Sequence, residues 1–249
     1  MTDQVEVVHV DEKNVSRQAR WLGQQRANAV IAAMKKRHFN ALYVEGKDEA
    51  RNAVLSLIPE GASVFRADSV TLDQIEIMPA LRRLNKNKIM WPQEKDGKGN
   101  TLIGDFTKNY EVLATAQRQA FFADVYLTGT NAVTLDGKLV STDGGGNRVS
   151  AMIYGPKKVI LVAGVNKIVK DFDAALARIH DYCAPINQKR HVEMHHRPWY
   201  ASLPCVTDGM CNDCEHERRV CNYTVMIEGS LPYYKDRINV ILVGEELGI

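Results

Sequence analysis

The sequence predicts one α/β domain built on a mainly parallel sheet flanked by helices, and three observations carry that expectation. Helical and extended patterns alternate over residues 13–78, which is how βαβ units read in a sequence. Two unbroken apolar runs, 159–165 and 240–244, have the length of buried strands. No linker, low-complexity stretch or internal repeat divides the 249 residues, and 45% apolar content suffices for one large core.

The elements follow in order. Residues 13–37 read as an amphipathic helix with Trp21, Ala27, Val30, Ile31 and Met34 on or near one stripe. A strand at 41–45 turns at Gly46 into a helix at 48–57, which Pro59 and Gly61 end. A strand at 63–66 leads to a helix at 71–78 opened by Ser69 or Thr71. Residues 79–107 are polar and fit no single pattern, and 92–100 read as a surface loop. A helix at 105–122 precedes a strand at 123–129. Strands at 132–135 and 138–142 flank Asp136-Gly137, a dipeptide suited to a two-residue type I′ hairpin turn. A short helix at 147–154 ends at Gly155-Pro156, before a buried strand at 158–163. A helix at 171–182 stops before Pro185. A Cys/His-rich segment, 190–222, separates it from the strands at 223–227 and 237–243.

Net charge is +2 with both signs interspersed, so no basic field argues for nucleic acid. The Arg82-Arg83, Lys86/Lys88 and Lys157-Lys158 clusters read as solvated faces. The N-terminus has no apolar signal core, and no apolar run reaches the roughly 18 residues a bilayer span needs. A cytoplasmic location is therefore expected, with no membrane partner. Thiols stay reduced there, so clustered cysteines read as metal ligands or redox groups.

Cys205, Cys211, Cys214 and Cys221 fall on one continuous segment, with two residues between the middle pair. That spacing lets a tight turn aim both thiolates at one metal centre. Gly209 and Asn212-Asp213 supply turn chemistry. One close pair with a lone cysteine on either side is nearer to how iron–sulfur clusters, [4Fe–4S] above all, are wrapped than to the paired spacing of structural zinc. Zinc, or free thiols, are the alternatives. Cys183 stands apart as a small packed residue. His191, His195, His196 and His216 lie nearby, and the four-residue step from His191 to His195 suits a metal, but a surface or pocket role is the plainer reading.

Gly129, Thr130 and Asn131 follow a strand, at the carboxyl end where open α/β sheets bind ligands. Asp143-Gly144-Gly145-Gly146-Asn147-Arg148 is a loop running into a helix start. Its backbone donors, with Arg148 beside them, suit a carboxylate or phosphate; the competing reading is that the glycines only make turns.

The stretches 128–149 and 154–169, with Ser69 to Leu72, Ala184 to Asn187, Arg190 and 237–248, resemble the lactate-utilisation (LUD) domain family. The likeness runs over most of residues 12–248. It implies a sheet of the sugar-phosphate isomerase and CoA-transferase type (NagB/RpiA-like) and a connection with lactate or a related 2-hydroxy acid. The segment from Pro204-Cys205 to Cys221-Asn222 looks like that of stand-alone members carrying a cysteine motif, whereas other members work beside separate iron–sulfur subunits. Enzymes of the broader fold class use a carboxylate as base or nucleophile. Of Glu45, Glu76, Asp136 and Asp143, the first choice is Asp143, with Asn147 and Arg148 to polarise a substrate; a helix cap is its other reading.

The resulting expectation is an iron–sulfur protein doing redox or Lewis-acid chemistry on a small hydroxy- or oxo-acid bound by Gly129, Thr130, Asn131, Asn147 and Arg148. Its partners would be that carboxylate, a redox protein and a second copy of the chain. Two alternatives stand beside it: a non-redox isomerase or CoA-transferase-like enzyme with structural zinc, and a metabolite-sensing regulator. The sequence has no dinucleotide fingerprint and no Walker loop.

Overall fold

The computed structural model describes residues 13–98, 101–103, 110–194 and 197–249. The first half runs α1 (Ser16–Lys36), β1 (Asn40–Val44), α2 (Lys47–Leu57), β2 (Ser63–Arg66), α3 (Val70–Gln74), α4 (Ile77–Leu84), β3 (Lys88–Met90), α5 (Tyr110–Arg118) and β4 (Val125–Gly129). The second half runs β5 (Ala132–Thr134), β6 (Leu139–Asp143), α6 (Asn147–Ile153), β7 (Lys158–Gly164), β8 (Ile168–Val169), α7 (Phe172–Arg178), α8 (Ala184–Glu193), α9 (Pro204–Thr207), β9 (Tyr223–Ile227) and β10 (Ile238–Val243).

Six strands form one sheet, every neighbouring pair parallel, in the order β1-β10-β7-β4-β2-β3. Alternation along β7 shows why its sequence is apolar from Val159 onward. Val159, Leu161 and Ala163 face the core that holds Ala27, Val30 and Met34 of α1, whereas Ile160 and Val162 face the core under α2, α3 and α4. Leu161 and Ile160 are fully buried, and each such side chain contributes about 1.5–3 kcal/mol.

A second, four-stranded sheet has the order β8-β5-β6-β9. Here β5 pairs antiparallel with β6 and parallel with β8, and β9 lies antiparallel to β6. The helix α7 rests on it: Ala175 packs with Ala132 and Val140.

The structure departs from the sequence reading in identifiable places. Trp21 is 60% exposed; the buried stripe of α1 is Ala27, Val30 and Met34. The helix expected at 71–78 breaks at Glu76, whose φ of 53° is left-handed, and resumes as α4. The β3 strand was hidden because it is three residues long and sits at the sheet edge, where little apolar pattern is required. Of the helix expected at 105–122, residues 105–109 lie outside the described residues; the rest is α5 and a 3₁₀ turn, Gln119–Phe122.

The hairpin turn is not the two-residue type I′. Thr134 and Lys138 pair across Leu135, Asp136 and Gly137, with the Gly137 N–H donating to the Thr134 carbonyl at 2.8 Å and the Thr134 N–H to the Lys138 carbonyl at 3.0 Å. Only Gly137 has positive φ, 84°, which makes this a three-residue loop closed by a glycine bulge. The loop packs on α1, where Arg37 donates to the Asp136 carbonyl at 2.6 Å.

The helix expected to end before Pro185 does not stop there. It continues from α7 through a π turn, Ile179–Cys183, into α8. Pro185 is tolerated because it occupies the first turn after the π segment, where its missing N–H breaks no regular α-helical bond. No described helix is long and apolar enough to cross a membrane.

Candidate functional site

The carboxyl ends of the parallel strands bring together the residues singled out around the Gly-rich loop. β4 ends at Gly129, and Thr130, 3% exposed, reaches the Val140 carbonyl at 3.0 Å and the Ser141 hydroxyl at 2.9 Å. Asn131 Oδ1 accepts from the Thr142 N–H at 3.0 Å and from Arg148 Nη2 at 3.0 Å. The same guanidinium donates to the Thr142 carbonyl at 2.8 Å and more weakly to the Gly129 carbonyl at 3.3 Å.

Asp143 carries out the work of an absent cap. The residue before α6 is Gly146, left-handed at φ 77° and without a side chain to offer. Asp143 reaches forward instead, its Oδ2 accepting from the N–H groups of Arg148 at 2.8 Å and Val149 at 3.3 Å. Its negative charge therefore sits at the positive end of the α6 dipole. Asn147 is exposed at the first position of that helix. Gly129, Thr130, Asn131, Asp143 and Arg148 are thus one hydrogen-bonded network.

Next to this network lie two basic side chains that the sequence reading passed over. Lys167 is only 4% exposed and donates to the Thr130 carbonyl at 3.1 Å and Thr71 Oγ1 at 3.2 Å. Burial, reinforced by the Arg178 and Arg148 charges, pushes its pKa down to about 7. Arg178 donates to the Asn131 carbonyl at 2.7 Å and reaches Cys183 Sγ at 2.7 Å. A lysine three residues past the apolar run of β7 was the signal available for Lys167. Arg178 carried none, since it reads as an ordinary helix-end arginine.

Cys205, Cys211, Cys214 and Cys221 line a single cavity, and none of the five cysteines is in a disulfide. The cavity is partly open to solvent. Its walls include His180, Ala184 and Gln188 from the π turn and α8, and Leu203 and Val220 from the loop. His180 Nδ1 lies 3.1 Å from Cys211 Sγ. Burial, together with the neighbouring thiols, raises the Cys205 pKa and lifts that of Cys221 to about 11. Arg219 braces the loop by donating to the Cys214 carbonyl at 2.6 Å and the Cys221 carbonyl at 2.9 Å.

The loop is docked on the Gly-rich segment. Asn222 donates its side-chain N–H to the Gly144 carbonyl at 3.1 Å and its backbone N–H to the Asp143 carbonyl at 3.2 Å. A Cβ on Gly144 would stand 3.3 Å from Val220 Cα, so the absence of a side chain there permits the approach.

As ligands, the four thiols suit a soft metal centre: they are sulfur donors, in one cavity, half-buried and beside a cation. Among the described residues no three His, Cys, Asp or Glu side chains stand close enough to hold one metal ion, so loading a single ion would require the loop to draw in. His195 and His196 lie outside the described residues. His191 sits on α8 with its ring centroid 5.5 Å from that of Tyr200, and His216 Nδ1 accepts from the Arg218 N–H at 3.1 Å. The other carboxylates are engaged elsewhere: Glu45 lies 3.1 Å from the Tyr43 hydroxyl, Glu76 is 3.7 Å from Arg51, and Asp136 pairs with Arg37 at 3.0 Å.

The family model described as the LUD domain matches residues 27–243. Among solved structures, the chain is similar to a DUF162 family protein from Deinococcus radiodurans, at 11% identity and a TM-score of 0.47, over 90% of this chain and 98% of that one. It is also similar to eIF2B beta from Chaetomium thermophilum, at 14% identity and a TM-score of 0.33, over 51% of this chain and 44% of that one. Comparison with curated proteins finds no match.

Proposed function

The chain belongs to the LUD-domain family, related to lactate utilisation, and on that premise we propose that it is an iron–sulfur protein acting on a small hydroxy- or oxo-acid. The observation that supports this reading is that four cysteines, none in a disulfide, line one cavity docked against the loop of Asp143 and Gly144. Cys205, Cys211, Cys214 and Cys221 would hold the centre, which when bound supplies one-electron redox or Lewis-acid chemistry. The chain's own part is to place those thiols on one cavity wall and to shield them. Arg219 brings positive charge beside Cys221, opposing the burial that favours its neutral form. Leu203 and Ala184, both buried, limit water in the cavity.

Asp143 and Arg148 support this site through structure: the carboxylate fixes the start of α6, and the guanidinium fixes the turn at Asn131. An acid substrate would approach from the exposed side of the loop, at Asn147. The discriminating experiment is metal and acid-labile sulfide analysis, with electron paramagnetic resonance, on anaerobically purified protein. Iron and sulfide in a brown protein support the reading. Colourless protein with stoichiometric zinc removes it and leaves a structural zinc site.

A further inference from the structure

The least satisfied buried group in the described part of the molecule lies at the cysteine cavity. Gln188, on α8, is 1% exposed, and neither Oε1 nor Nε2 has a hydrogen-bond partner among the described residues. It lines the cavity together with the four thiols. A buried amide left unbonded is costly, and an apolar residue of the same size would avoid that cost. Keeping glutamine there makes sense where a partner arrives with a bound group.

His180 supplies a second polar contact on the same wall, 3.1 Å from Cys211 Sγ. The backbone explains the alignment. Residues 180, 184 and 188 all line the cavity, and the step from 180 to 184 crosses the π turn. Steps of four residues keep side chains on one helix face, so His180, Ala184 and Gln188 look toward the same cavity.

We propose that Gln188 and His180 are positioning residues for the group the cysteines hold, Gln188 donating its amide N–H to a sulfur of that group and His180 its Nδ1–H to Cys211. This rests on the iron–sulfur reading given above. Sulfur bound to iron accepts hydrogen bonds, so the donating end of the amide is the end it engages. Such donors stabilise the extra negative charge of the reduced state and raise the midpoint potential.

The test uses the full chain, purified anaerobically, with iron and sulfide content measured for each form. Gln188→Met keeps the side-chain length and removes both polar ends. With iron and sulfide unchanged, its midpoint potential in a redox titration is expected to move to a more negative value than that of wild type. Stripped of metal by chelator, Gln188→Met is expected to unfold at a higher temperature than stripped wild type, because the orphaned amide is gone. That advantage disappears in the loaded proteins. His180→Leu should also lower the midpoint, and His180→Asn, whose amide N–H stands in for Nδ1–H, should restore it. A wild-type midpoint in Gln188→Met, with the same temperature shift in stripped and loaded protein, overturns the inference alone. Wild-type protein that takes up no iron overturns the iron–sulfur reading and this inference with it.

Discussion

Replacing Arg148 by methionine tests whether that guanidinium is spent on the protein or free for a ligand. Two of its bonds are short, 2.8 Å to the Thr142 carbonyl and 3.0 Å to Asn131 Oδ1. Two more, at 3.3 Å to the Gly129 carbonyl and 3.5 Å to Ser141 Oγ, are at or beyond the range of good geometry. A hydrogen bond to a charged group is worth about 1.5–3 kcal/mol. The site is half-buried, so water recovers part of the loss, and the two short bonds alone set an expected cost of about 3 kcal/mol. Methionine retains the aliphatic contact, which keeps the loss to the polar part. Urea unfolding followed by circular dichroism, with an unchanged slope against denaturant, measures it. A loss below about 1 kcal/mol refutes the argument and returns Arg148 to the role of a substrate-binding cation.

Three further outcomes follow from the same geometry. Between a pH of about 7 and the ordinary lysine value of 10.5, the unfolded chain holds a proton on Lys167 that the folded chain does not. Stability from this residue therefore rises with pH through that window, and Lys167→Met should flatten the rise in urea midpoints; parallel slopes for the two proteins would rule it out. Gly137→Ala puts a Cβ 2.8 Å from the Met34 backbone nitrogen at a φ of 84°, and should cost about 3 kcal/mol from left-handed strain and overpacking, read as a lower unfolding temperature. A change under about 0.5 kcal/mol would mean that the loop and α1 move apart freely. Cys211→Ser should abolish most iron uptake while circular dichroism stays that of wild type, since Cys211 lies on a loop outside the described cores; full iron content in that variant would take Cys211 out of the ligand set.

The sheet was legible because its central strands are buried on both faces, and such strands leave short, unbroken apolar runs rich in β-branched residues. Turn details were less legible. Asp136-Gly137 announced a hairpin, but loop length depends on the pairing of Thr134 with Lys138, a contact no dipeptide encodes. Pro185 announced a helix end, which the π turn before it made unnecessary. The four cysteines were visible from spacing, and their shared cavity needed the fold. Gln188 gave no sign at all: a glutamine in a polar helical stretch looks exposed until packing shows it 1% exposed. Asp143 was visible as a candidate for either of two roles, and its contacts with Arg148 and Val149 describe the capping one.

The position of β10 between β1 and β7 has a consequence for how the chain reaches its native state. Its hydrogen-bonding partners lie some 200 residues upstream on one side, as in Asn40 opposite Asn239, and about 80 on the other, as in Ile238 opposite Val159. During synthesis β1 has no mate and β7 shows a bare edge until residues 238–243 leave the ribosome. Closure of so distant a pairing is slow, and the waiting edges can recruit other chains. A nascent chain arrested before residue 238 is therefore expected to need a chaperone to stay in solution.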